Sequence, residues 1–239
     1  MSKTEQKDYA KNGDAQLFAA LAENIKSSFI TVLRATELAP ESGREQGLIA
    51  ETAQQSLELL DHYLLSLQLN QADPVAFLRP VSLSASLTDV AHQLVKTANA
   101  EHCDIELDVA GKYGPILAHP GGLTAALVSL GNSFIAAHAQ RAPQKRMVIK
   151  LATYTTAHGV RAGLFTDIDG ISASNLKRAR KLLGKATSPF NQFTTAGDAG
   201  VFVADALLQS MSSGLTASRH HKLPGFAATF TTSPQLELV

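Results

Sequence analysis

The chain has 239 residues, of which 45% are hydrophobic and 18% are charged, so it is long enough to fold around one large or two small cores. Lysine plus arginine and aspartate plus glutamate both number 21, and this balance predicts no nucleic-acid partner. The single cysteine, Cys103, excludes an internal disulfide. We find neither a signal-peptide pattern nor an apolar run of membrane-spanning length, so we predict no membrane partner and a cytoplasmic location.

The N-terminal part of the chain predicts a helical hairpin. After a flexible tail at 1–13, apolar residues recur at spacings of three and four over 14–39 and again over 44–71, which is the period of an amphipathic helix. Two helices cannot bury two broad apolar stripes against each other alone. Residues 14–73 are therefore predicted to pair with a second copy and form a dimeric four-helix bundle.

Residues 74–239 predict a second domain, because beyond a linker at 74–80 the pattern changes to mixed helix and strand. The predicted elements are a helix at 82–100, a strand at 105–109, a short strand at 115–118, a helix around 123–134, strands at 146–156 and 160–167, a basic helix at 174–183, a helix at 201–211, and strands at 215–218 and 226–232. This order predicts an α+β fold, an α/β sandwich with helices on one face of a mixed sheet.

The hairpin carries a resemblance to a known family. The stretch 23–33, ENIKSSFITVL, resembles the phosphoacceptor helix of sensor histidine kinases, in which the family writes H-E-[LIV]-[RK]-[TSN]-P-L. Residues 59–67 are similar to the end of the family's second bundle helix, and 78–83 to the opening of its catalytic domain. The resemblance implies a histidine kinase core with an ATP-binding sandwich of the GHKL type over 74–239.

The reactive histidine of that helix is replaced here by Glu23. A carboxylate is a poorer nucleophile than an imidazole and would give a labile acyl phosphate. We therefore expect no catalytic residue and no autophosphorylation. Glu23 is interpreted as an exposed helix residue, with imitation of phosphohistidine as the alternative, and His62 on the second helix is the rival acceptor.

The ATP-binding motifs that the resemblance implies are incomplete. The N-x-x-x-N motif, which holds Mg²⁺ and the triphosphate in the family, reads Val128 to Asn132 and keeps only the second asparagine. Asn132 is thus the one Mg²⁺ ligand implied. Valine offers no oxygen to an ion that needs near-octahedral oxygen donors.

The two glycine motifs are also altered. The family's D-x-G-x-G can be aligned with its aspartate at Thr166 or, shifted by one, at Asp167, and Asp169 and Gly170 follow. The glycine-rich turn that should precede a helix reads AGDAGV over 196–201 and keeps Gly200. The nucleotide-binding residues implied are therefore Asn132, Asp167, Asp169, Gly170 and Gly200. We expect no cofactor, with weak binding of ATP and Mg²⁺ as the alternative.

Together these features predict a catalytically impaired, histidine-kinase-like signalling protein, a homodimer that docks a response regulator or a histidine kinase. Two alternatives stay open: a histidine phosphotransferase that relays phosphate through His62, and a residual ATP-binding histidine kinase. The basic run at 177–185 is interpreted as a solvated helix face, with docking of an acidic partner as the alternative. The sequence at 220–222, HHK, is interpreted as a solvated turn and not a metal site, because adjacent side chains on a strand point to opposite faces.

Overall fold

The computed structural model describes residues 22, 25–27, 29–36, 44–71, 77–109, 111, 113–141, 146–167, 176–177 and 196–233. They belong to two compact units, Met1–Gln71 and Ala72–Val239, and each unit is described by itself. Several predictions fall outside the described residues: those on Glu23, Asp169 and Gly170, the tail at 1–13, and all but one residue of the basic run at 177–185.

The first unit is helical. Helix α1, Arg44–Gln71, has the bounds that the apolar spacing predicts, and residues 25–27 and 29–36 before it are also helical. The two helical parts are joined by an ion pair in which Lys26 Nζ donates to Asp61 Oδ1 at 2.5 Å. The apolar side chains of the unit range from buried to exposed. Ala53, Leu57, Leu64 and Leu69 are buried, whereas Ile25, Val32, Leu48 and Ile49 are exposed.

The second unit is a mixed α+β domain. Its elements are β1 (Arg79–Val81), α2 (Leu83–Ala100), β2 (Cys103–Val109), β3 (Ile116–Ala118), α3 (Pro120–Arg141), β4 (Met147–Thr156), β5 (Gly159–Thr166), α4 (Ala196–Ser210), β6 (Thr216–His220) and β7 (Leu223–Phe230). The main sheet has five strands in the order β2-β4-β5-β7-β6. Strand β2 is parallel to β4, and the other neighbours are antiparallel. The predicted mixed sheet with helices is thereby confirmed.

Helices α2 and α3 pack against strands of this sheet, and α4 packs against α3. Ser82 begins α2 as its N-cap, because its hydroxyl accepts from the amide of Ala85 at 3.4 Å. Helix α3 lies in the middle, between α2 and α4. Its segment Pro120–Ala139 is long and apolar enough to cross a membrane, but 72% of that window is buried inside the domain, so its apolar character is explained by its place in the core.

The opposite face of the sheet is curled. In a flat sheet, the first and fifth strands would lie about 19 Å apart. Here Asp108 of edge strand β2 and His220 of edge strand β6 are in contact, with 2.9 Å between Oδ2 and Nε2. The curl encloses a small apolar cluster of Ala152, Phe165 and Ala227, whose side chains are fully buried on this face.

Three predicted boundaries are corrected. The linker predicted at 74–80 overlaps β1, in which Arg79 and Pro80 pair with β3; a proline is tolerated there because β1 belongs to a sheet of only two strands. Helix α4 begins at Ala196 and not at 201, and Gly200 within it lies against Ser129 and Ser133 of α3. Strand β6 extends to His220, two residues beyond its predicted end.

Candidate functional site

Asn132 and Val128 lie one turn apart on α3, at the place where the resemblance implies a Mg²⁺ site. The Asn132 side chain is partly exposed, whereas Val128 is only 5% exposed. Residues four apart on a helix share a face, so a second asparagine at 128 would stand beside Asn132. This face of α3 therefore presents one amide oxygen in a place where the family presents two.

Gly200 lies within α4, at the contact between α4 and α3. A Cβ atom added to it would lie 2.2 Å from Ser133 Oγ and 2.6 Å from the Ser129 carbonyl oxygen, closer than real Cβ contacts allow. Ser133 Oγ itself donates to Ser129 O at 2.9 Å. The predicted glycine-rich turn is thus the first part of a helix. The geometry gives Gly200 a packing role, since only a bare Cα lets the two helices approach so closely; a role in nucleotide binding stays a prediction.

Thr166 is the last residue of β5, and Asp167 follows it outside the strand. Thr166 is 1% exposed and its side chain lies under the helices, whereas Asp167 is exposed. The Thr166 hydroxyl has no hydrogen-bond partner within the described part of the chain. A buried hydroxyl without a partner is uncommon in a folded protein. Of the two alignments that the motif allows, the one with Thr166 at the aspartate position brings a polar group into the interior.

His62 is partly buried on α1, beside Asp61 and one turn after Glu58. Burial lowers the pKa of its imidazole, and the nearby carboxylates of Glu58 and Asp61 oppose that change. The lowered pKa favours the neutral ring, which is the nucleophilic form. The carboxylate of Asp61 also forms the ion pair with Lys26.

One cluster of side chains was not predicted from the sequence. His220 Nε2 and His221 Nε2 lie 2.9 Å and 3.5 Å from Asp108 Oδ2. The prediction that His220 and His221 point to opposite faces is wrong, because His221 lies in the turn after β6 with φ of 46° and no longer follows strand alternation. A histidine pair at a tight turn was the only signal in the sequence; Asp108 is 112 residues away from His220 and could not be found from it.

Comparison with known proteins identifies the fold. We find no family model and no curated protein that matches the chain. Among solved structures, full-length ShkA in complex with AMPPNP is similar over 91% of this chain, with a TM-score of 0.60 and 19% identity. The Acinetobacter baumannii histidine kinase AdeS is similar over 89% of this chain and 95% of its own, with a TM-score of 0.50 and 12% identity.

These similarities confirm that the chain has the fold of a histidine kinase core with a GHKL-type ATPase domain. The chain spans about half the length of ShkA, covering 46% of it. At such low identities the likeness concerns the fold alone, and activity has to be argued from the site.

Proposed function

We propose that this protein is a histidine-kinase-like signalling protein that does not autophosphorylate and acts as a cytoplasmic homodimer, docking a response regulator or a histidine kinase. The observation that carries the proposal is the buried Val128 one turn before Asn132 on α3. A Mg²⁺ ion bound with ATP requires oxygen ligands in near-octahedral geometry. A valine side chain supplies none, and the adjacent backbone carbonyl oxygens are committed to the helix.

The residues only partly fit ATP and Mg²⁺. Asn132 would contribute one oxygen to the ion, and Val128 contributes none. Thr166, at the end of β5, would offer its hydroxyl to the base and not to the ion. In the family the ion neutralises charge as the γ-phosphoryl group is transferred. An ion held by one protein ligand in place of two would be bound weakly, and Glu23 offers no imidazole to receive the phosphoryl group. Both deficiencies act in the same direction, against autophosphorylation.

A radiolabelling experiment tests the proposal. The purified chain is incubated with [γ-³²P]ATP and Mg²⁺ beside the double variant Glu23→His, Val128→Asn, which restores both family residues. We expect no stable label on the wild-type chain. Incorporation of about one phosphate per wild-type chain, abolished by His62→Gln, would overturn the proposal.

Homodimerisation through the first unit is supported by its exposed apolar side chains. Leu48 is 65% exposed, and Ile25, Val32 and Ile49 are 40–48% exposed. Burying such side chains against a second copy gains about 25 cal/mol per Å² of apolar surface, and symmetric pairing satisfies both copies at once. The four-helix bundle of the histidine kinases is the arrangement we propose for the pair.

Sedimentation equilibrium tests the dimer. Leu48→Glu places a charge in the proposed interface and should shift the protein toward monomer. Val95→Glu, at an apolar residue of α2 in the second unit that is 43% exposed, should leave the association unchanged. A wild-type protein that is monomeric at tens of micromolar contradicts the proposal.

Residual nucleotide binding is a second candidate, favoured by the unpartnered Thr166 hydroxyl. A purine amino group donates hydrogen bonds, and a buried hydroxyl can accept one. We expect Thr166→Val to weaken any ATP binding detected by calorimetry, while Thr88→Val, at a partly exposed threonine of α2 whose hydroxyl bonds to the Ser84 carbonyl, serves as the control. Equal ATP affinity in both variants and the wild type would remove this candidate.

Phosphotransfer through His62 is a third candidate, favoured by the lowered pKa of its ring. A phosphorylated receiver protein is mixed with the wild-type chain or with His62→Gln. Label that moves to the wild-type chain and not to the variant would support the relay. Label that reaches both chains equally, or neither, would exclude it.

A further inference from the structure

We propose that Asp108, His220 and His221 form a binding site for a zinc ion, which we call the clasp. The clasp lies on the curled face of the sheet, opposite the helices that carry Asn132 and Gly200. It joins the two edge strands, because Asp108 belongs to β2 and His220 to β6. The site uses no residue on which the proposed function depends, so each proposal can be tested without the other.

The donor set is one that zinc prefers. Two imidazole nitrogens and one carboxylate oxygen, with a fourth position left to water, form a common three-ligand zinc site in proteins. The ligand atoms lie within 4.8 Å of one another, one from each residue. Ligands at about 2.0–2.1 Å from a tetrahedral ion lie about 3.3–3.5 Å apart. The distance of 3.5 Å from His221 Nε2 to Asp108 Oδ2 already meets this spacing. The distance of 2.9 Å from His220 Nε2 to Asp108 Oδ2 has to lengthen by about 0.5 Å to meet it.

The turn between β6 and β7 brings the two histidines to the same side. His220 pairs with Leu223 across the hairpin, so the loop contains only His221 and Lys222. Both have positive φ, 46° and 72°, as in the type I′ turns that strongly favour Asn-Gly. Histidine is among the residues enriched at positive φ, whereas lysine is not. The result is that the two imidazole rings lie 4.3 Å apart.

The ring of His220 is held in place by its neighbours. It stacks on Tyr154 with 5.4 Å between the ring centroids and an interplanar angle of 16°, and it contacts Phe165 at 5.3 Å. Its side chain is 10% exposed, in contrast to 70% for His221. A ligand whose ring is already oriented loses little conformational freedom when it binds a metal. His221 remains accessible from solvent and can complete the site.

The charges around the clasp are compatible with a cation. Asp108 supplies one negative charge, and Glu106 on the same face of β2 supplies another. Lys150 is the nearby positive group that acts on Asp108, but its ammonium also pairs with Glu106 at 3.3 Å. Neutral imidazoles bind zinc, so the affinity should fall as the pH is lowered and protons compete for the ring nitrogens.

Zinc titration of the full chain, free of any affinity tag, tests the clasp. We expect one Zn²⁺ per chain and a rise in the unfolding temperature of the second unit. His221→Gln and Asp108→Asn should each weaken the binding by about tenfold or more. His158→Gln is the matched control, because His158 is an exposed histidine in the other hairpin turn, and it should bind as the wild type does.

Cobalt substitution gives a second measurement that does not depend on stability. Bound Co²⁺ should show the intense visible absorption of a tetrahedral ion, which His221→Gln should abolish. The proposal is overturned if the wild-type chain shows only the weak spectrum of hydrated Co²⁺, or if zinc binds equally well to all four proteins.

Discussion

The two faces of the main sheet differ in the side chains that they carry, which are mainly apolar on one face and partly charged on the other. The face toward the helices is apolar, as in the contact of Phe134 of α3 with Phe226 of β7, and above it α3 carries the buried Val128 and meets α4 closely at Gly200. The curled face gathers carboxylates, lysine and histidines around Asp108 and His220. One face is built for tight packing, and the other for polar contacts between strands that are far apart in the sheet.

The difference shows that the packing of this fold and the chemistry of its sites depend on different atoms. Helix packing and sheet order depend on apolar area and close contact, which Val128 and Gly200 serve well. Nucleotide chemistry depends on a few oxygen and nitrogen atoms that contribute little to packing.

The largest effect is expected at the contact of α3 and α4. Gly200→Ala places a methyl group against the Ser129 carbonyl, so the helices must separate, and we expect a loss of about 1–3 kcal/mol in the free energy of unfolding. Gly121→Ala is the control in the first turn of α3, where a Cβ would meet His119 at an ordinary 3.5 Å. Urea denaturation measures both. A Gly200→Ala protein as stable as the control would contradict the packing role.

A pair of buried threonines sharpens the same point. Thr153 and Thr166 are both inaccessible, but the Thr153 hydroxyl bonds to that of Tyr113, whereas that of Thr166 has no partner in the described residues. Removing a bonded hydroxyl leaves its partner unsatisfied, so Thr153→Val should cost about 1–2 kcal/mol. Thr166→Val should be neutral or stabilising. Equal losses in the two variants, measured by thermal unfolding, would mean that Thr166 is bonded after all.

On the curled face, acid should weaken the contact between the edge strands. The hydrogen bond from His220 is the main cause that lowers the pKa of Asp108. Because the pKa of Asp108 is lower in the folded than in the unfolded state, its ionised form stabilises the protein at a pH above the unfolded-state pKa of about 3.9. This contribution is lost as the pH falls through the folded-state pKa.

Asp108→Asn should therefore lose less stability than the wild type between pH 5 and about pH 3, by up to about 1 kcal/mol. Urea unfolding in the presence of EDTA measures the difference, and Asp89→Asn, at an exposed position of α2, is the control. The contact contributes nothing if the wild type and both variants lose stability in parallel.

The smallest effect is expected at Cys103, on the packed side. Its thiol is buried, and burial together with Glu101 and Asp104 raises its pKa to about 11. At pH 8 only about one thiol in a thousand would be ionised. We expect almost no reaction with a thiol reagent in the native protein and full reaction in urea. Rapid labelling without denaturant would show that the strand β2 opens.

The sequence predicted more of the fold than of the sites. The bounds of α1 and the strands β4 and β5 follow from apolar periodicity, a local property that the chain itself displays. The start of α4 was misplaced because its two glycines suggested a turn, and only the closeness of Ser129 explains why Gly200 suits a helix here. The clasp could not be predicted, because Asp108 meets the histidines only after the sheet has curled.

Calorimetric titration with ATP and Mg²⁺ tests the central claim most directly, namely that this histidine kinase fold has lost its nucleotide chemistry at α3. The wild-type chain is compared with Val128→Asn, which returns the second amide to the face of Asn132. We predict little or no heat from the wild type and measurable binding by the variant. Micromolar binding of ATP by the wild type, unchanged in the variant, would contradict the account.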